Sequence, residues 1–115
     1  MGLTKSEIFS EKQNEIALVA KVLAHPARIA ILEVLIKSKQ CICGDLVTEI
    51  GLAQATISQH LKELKNCGLI KGTITGTSMC YCINAEKWNG FQEVLSHFFN
   101  QSIELEENPN QNCCN

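Results

Sequence analysis

No apolar run in this chain approaches the roughly 18 residues that cross a bilayer, so a membrane protein is not expected. The first residues, MGLTKSEIFSEKQ, lack the basic-then-apolar order of a secretory leader, which makes a cytoplasmic location the expectation. The chain has no phosphate loop, no H-E-x-x-H helix and no C-x-x-C redox motif, so no enzymatic chemistry is expected. An excess of positive charge is also missing, because the net charge is −2. That excludes a protein that coats nucleic acid through bulk charge, but it leaves a local footprint open. Residues 25–77 carry +2, whereas residues 85–115 carry −4. A mildly basic centre is therefore followed by an acidic end.

Cysteine, by contrast, is plentiful. Seven cysteines are an odd number, and without a leader a disulfide framework is not expected. The expectation is free thiols, with reactivity or metal binding as their use. Four of them form two C-x-C pairs, Cys41/Cys43 and Cys80/Cys82, and two close the chain as Cys113 and Cys114.

The length of 115 residues fits one domain over 1–100, with a polar, acidic, cysteine-containing tail over 101–115. Apolar spacing at Ile16, Val19, Ala20 and Leu23 predicts a first helix over 5–23. His25-Pro26 ends it, and Pro26 suits the first turn of a second helix over about 26–37, apolar nearly all round and so central. A short third helix over roughly 44–50 stops at Gly51, and a fourth runs over about 54–66 to Gly68. On the fourth, Ile57, Leu61 and Leu64 form the inner stripe. The opposite face carries Ala55, Ser58, Gln59, Lys62 and Asn66, small, amide and basic side chains that suit base edges and phosphates.

Residues 69–83 predict a β-hairpin around Gly76-Thr77. Pairing puts Ile74 opposite Met79 and Ile70 opposite Ile83 on the core face, leaving Lys71, Thr73, Cys80 and Cys82 outward. A last helix over about 85–100 gathers Trp88, Phe91, Val94, Leu95, Phe98 and Phe99. That stripe is too broad for so small a core, and pairing of the first and last helices across a twofold axis would cover it. The expected fold is mainly α with a small β-hairpin, a winged helix-turn-helix acting as a homodimer, whose second helix enters the major groove.

The segments LAHPARIAIL, GDLV, QATISQHLKELKNCGLI and GTITGTSMCYCI resemble, in that order, the ArsR/SmtB family of winged-helix repressors over residues 16–100. The resemblance implies a repressor that leaves double-stranded operator DNA when a metal ion, a metalloid or a thiol-reactive signal binds. It implies that Gln54, Thr56, Ser58, Gln59, His60 and Lys62 lie on the DNA-reading helix, with Lys71 and Thr73 on the wing. The helical wheel puts His60 nearer the core-facing edge. Two departures stand out. Ala53 occupies the helix start where the family often has serine, and Gly44 separates Cys41/Cys43 from Asp45-Leu46, shifting the pair by one residue.

The thiols point to As(III) or Sb(III) as inducer, since As(III) takes three thiolates in a pyramid. Cys41 and Cys43 at the start of the third helix would supply two, helped by the helix dipole. Cys113 or Cys114 would supply the third, with Cys80 and Cys82 as rivals. Cys67 reads as a small buried residue. His97, with only Glu93 near it in sequence, gives no zinc site on the last helix. No cofactor is required for DNA binding. Persulfide or redox sensing by the same fold, and a protein-binding winged helix, remain the other readings.

Overall fold

Ser10 divides what the sequence predicts as one helix. In the computed structural model, which describes residues 5–43, 50–75 and 78–105, α1 covers Lys5–Ile8 and α2 covers Glu11–Leu23. The Ser10 hydroxyl accepts from the Gln13 backbone N–H at 3.1 Å, and the Gln13 side chain accepts from the Ser10 N–H at 2.9 Å. This reciprocal capping box satisfies two donors at the helix start and makes a new beginning there more favourable than continuation.

Helix α3 (Pro26–Ser38) begins with proline in its first turn and buries Ile31, Leu32 and Leu35. It ends on Lys39 in a left-handed conformation with φ of 57°. The Ser38 hydroxyl holds this turn, donating to the carbonyl oxygens of Leu35 and Gln40. The reversal feeds β1 (Ile42–Cys43), a strand the sequence reading did not foresee. The third helix expected over 44–50 lies outside the described residues except for Ile50, which is helical and precedes Gly51 at φ +82°.

Helix α4 (Gln54–Asn66) buries Ile57, Leu61 and Leu64 and stops at Gly68, whose φ of +91° is the left-handed stop expected of glycine. Strands β2 (Ile70–Thr75) and β3 (Ser78–Ile83) follow, then α5 (Ala85–Phe99), capped by the Asn84 side chain. The sheet order is β1-β3-β2, all antiparallel, so β3 is central. The hairpin register is Ile70↔Ile83 and Ile74↔Met79, as the pattern predicts. Gly76 and Thr77 lie outside the described residues.

The core joins Val19 and Val22 of α2 to the inner residues of α3 and α4, to Leu69 and Ile70, and to Phe91 of α5. Two expectations about the hairpin need correction. Ile74 and Met79 do not reach the core; Ile74 is 75% exposed and Met79 37%, because the buried cluster takes only the first residue of β2, Ile70, from this face of the hairpin. Cys80 is not outward but 2% exposed, because β1 docks on the far side of β3.

Candidate nucleic-acid interface and thiol cluster

The inner stripe of α4 fixes which side chains it presents outward. Gln54, Ala55, Thr56, Ser58, Gln59 and Lys62 are exposed. Three of them are tethered along the helix: Gln54 Nε2 donates to Ser58 Oγ at 3.1 Å, and Gln59 Nε2 donates to Glu63 Oε1 at 3.4 Å. Both bonds join residues four apart, which share a face. Lys71 and Thr73 are exposed on β2, so helix and hairpin offer one polar surface each. Among the described residues, Ala53 provides the start of α4 without any side-chain cap.

His60 occupies a different environment. It is half-buried, its Nδ1 accepts a hydrogen bond from Arg28 Nε at 3.1 Å, and its ring lies 5.2 Å from that of His25. Arg28 also donates to the carbonyl of Val22, so this group links α2, α3 and α4. Burial, then the Arg28 charge, then His25 hold His60 below the ordinary imidazole pKa. A neutral ring is needed, since a protonated Nδ1 cannot accept.

The cysteines converge on the sheet. In the β1–β3 register, Ile42 pairs with Tyr81 and Cys43 with Cys80. One step back along β1, the same register brings Cys41 to Cys82, and the two thiols share a side-chain hydrogen bond. That bond, then burial, then the Cys41 charge raise the Cys82 pKa, and Lys71 opposes them. Cys80 is disulfide-bonded, whereas the sequence reading expects free thiols. Cys41, Cys67 and Cys82 are free. Cys67 packs against the core at the end of α4, its thiol donating to the Leu64 carbonyl at 3.2 Å. Cys41 and Cys82 line a cleft of ≈ 460 Å³ between the end of α3, β3 and the start of α5, with Lys39, Lys71 and Trp88 on its walls.

Among the described residues no three His, Cys, Asp or Glu side chains converge to hold a metal ion. Cys113 and Cys114, expected to add a ligand from the tail, lie outside the described residues. The Cys41–Cys82 contact was missed from sequence. Its signal was the alternation of two C-x-C pairs, which places both cysteines of each pair on one face if each is a strand.

No helix among the described residues is long and apolar enough to cross a membrane. Residues 25–71 match the sequence pattern of the family described as bacterial regulatory protein, arsR family. The uncharacterized HTH-type transcriptional regulator Rv0081 of Mycobacterium tuberculosis is 38% identical over 65 residues, 56% of this chain. The match spans only 57% of that relative's length. Its crystal structure aligns with a TM-score of 0.60 at 31% identity, covering 79% of this chain and 95% of that one. The arsenical resistance operon repressor of Staphylococcus xylosus is 28% identical over 100 residues, 87% of this chain and 88% of its own. The homodimeric winged helix-turn-helix domain of Mb0332 from Mycobacterium bovis aligns with a TM-score of 0.62 over 90% of this chain and 98% of that one. At 24% identity that likeness shows the fold alone. The helix α4 with its hairpin wing and the family pattern running from α3 into β2 agree, and the chain belongs to the arsR family of bacterial regulatory proteins.

Proposed function

We propose that this chain is a homodimeric transcriptional repressor that binds operator DNA and releases it when As(III) or Sb(III) is captured by cysteine thiolates. The observation that carries the DNA reading is the exposed row Gln54, Thr56, Ser58, Gln59 and Lys62 on α4, backed by a buried apolar stripe and followed by Lys71 and Thr73 on the wing. Such a helix offers amides and hydroxyls to base edges and lysines to phosphates. His60 acts from behind this face, by fixing Arg28 against α4.

Thiol control is supported by the Cys41–Cys82 contact. The likeness to an arsenical resistance operon repressor supports a metalloid as the signal. Cys41 and Cys43 supply two ligands from the strand that leads to the reading unit, and the third comes from the tail pair Cys113/Cys114 or from the wing. Cys82, already in contact with Cys41, favours the wing. A repressor that responds to thiol oxidation is the second reading, favoured by the disulfide at Cys80.

Fluorescence anisotropy with DNA from the chain's own upstream region tests the proposal, run in a non-thiol reductant. Tight binding that arsenite weakens by roughly 5–150-fold, the usual range of allosteric coupling, is the expected result. The double variant Cys41→Ser/Cys43→Ser should bind DNA as before and ignore arsenite. No binding to any upstream fragment would point to a protein-binding winged helix. Release by an oxidant but not by arsenite would favour the redox reading.

A further inference from the structure

The cleft of ≈ 460 Å³ between the end of α3, the sheet and the start of α5 falls within the size of small-molecule sites, about 300–1,000 Å³. Its walls divide by chemistry. Lys39 and Lys71 bring two positive charges, and no Asp or Glu stands among its described lining residues. Ile36, Ile83 and Trp88 supply an apolar side, to which Asn89 adds an amide. Ile36 is 45% exposed, so part of that apolar side meets water.

Local structure places both lysines. Lys39 is the left-handed residue that ends α3, in a turn held by the Ser38 hydroxyl through the carbonyls of Leu35 and Gln40. Lys71 pairs with Cys82 across the hairpin. Charges of one sign in a cleft with low-dielectric walls focus their field, here toward an anion. The cleft also stands apart from the other surfaces. The exposed Leu18, Phe98 and Phe99 do not line it, and of its described lining only Lys71 belongs to the proposed DNA face.

We propose that this cleft is a binding site for a small aromatic carboxylate, its anionic head between Lys39 and Lys71 and its ring against Trp88. An inorganic anion would use the lysines and leave the apolar side in water. An uncharged apolar molecule would leave the lysines without a partner. A carboxylate on an aromatic body answers both, through charge-assisted hydrogen bonds and ring packing. Because Lys71 is also offered to DNA, occupancy removes one phosphate contact. That consequence rests on the operator-binding reading and adds an input that needs no thiol; the site itself does not depend on it.

Trp88 is the only tryptophan of the chain, so its emission reports on the cleft directly. Full-length protein without DNA, in an uncharged reductant, is titrated with phenylacetate, phenylacetamide and acetate, and ligand-observed NMR follows binding independently. Phenylacetate should change the Trp88 emission saturably, and its affinity should fall as salt rises. Phenylacetamide should bind roughly tenfold more weakly, and so should phenylacetate to Lys39→Gln, the loss expected of a charge-assisted hydrogen bond. Asn89→Glu, an exposed substitution that sets a like charge in the cleft, should weaken it further.

Equal affinity for acid and amide would overturn the anion assignment. Binding seen by NMR that leaves Trp88 emission unchanged would put the ligand elsewhere and overturn the site, as would no binding at all. With operator DNA, saturating phenylacetate should lower the log–log salt slope by about one unit, to that of Lys71→Ala. An unchanged slope beside a normal titration would overturn the coupling and leave the site. Absence of operator binding would overturn the repressor reading alone, because the DNA-free titration decides the cleft.

Discussion

At the residue scale His60 and Lys62 of α4 make opposite demands on solvent. His60 must stay neutral to accept from Arg28, and its folded-state pKa is lowered from 6.5. The unfolded chain therefore binds a proton more readily. Stability from this group is fully present above 6.5 and is lost as pH falls through the folded value. Thermal unfolding followed from neutral to mildly acid pH should show the loss, and His60→Gln, which keeps an acceptor that does not titrate, should flatten that part of the profile. An unchanged slope in His60→Gln would show that another group governs it. Lys62 is exposed to solvent. Lys62→Ala should weaken operator binding and reduce the log–log salt slope by about one unit, measured over a salt series. The outward placement of Lys62 was legible from the helical period alone. The partner of His60 was not, because Arg28 stands 32 residues away and only the packing of α3 on α4 joins them.

At the element scale, local chemistry decides what can be read. The hairpin register was legible because a Gly-Thr pair between two alternating runs predicts a two-residue connection, and the observed pairs from Thr75↔Ser78 to Ile70↔Ile83 follow that expectation. The break between α1 and α2 was also written locally, in Ser10 and Gln13, but helical apolar spacing on both sides masked it. Strand β1 was not legible. Two residues, Ile42 and Cys43, carry no periodicity, and their pairing with β3 closes a loop of nearly forty residues. The thiol cluster was hidden with it, since one C-x-C pair has meaning only against the other. The start of α4 yields a prediction of its own. Ala53 has φ −60° and ψ 148°, the extended backbone of a helix cap, but no side chain to accept from the first turn. Ala53→Ser should add about 1 kcal/mol and raise Tm by roughly 4 °C in calorimetry. No gain would mean that water already satisfies those N–H groups as well as a hydroxyl can.

At the scale of the whole molecule, the apolar surface is unevenly spent. Phe91 is 8% exposed and belongs to the core of one chain, and Leu95 packs beside it. The broad stripe on α5 thus divides: its first half closes an apolar cleft with Val19 and Leu23 of α2, and its second half stays uncovered. Phe98 and Phe99, stacked edge to face at 5.3 Å, remain exposed, as do Leu18 of α2 and Ile8 and Phe9, which precede α2 in the chain. Large apolar side chains concentrated on the first and last helices are the composition of an interface, and a twofold axis would let the same patch cover itself. On the proposed reading, such a dimer would set two copies of α4 to meet successive major grooves, roughly 34–36 Å apart. Leu18→Glu with Phe99→Glu should therefore give a folded monomer in sedimentation, because both side chains lie outside the core of a single chain and a charge there costs nothing until the partner desolvates it. The same variant should lose most of its operator affinity while Lys62 and its neighbours stay intact. A dimer that survives both substitutions would place the interface on another face and leave the exposed phenylalanines to a different partner.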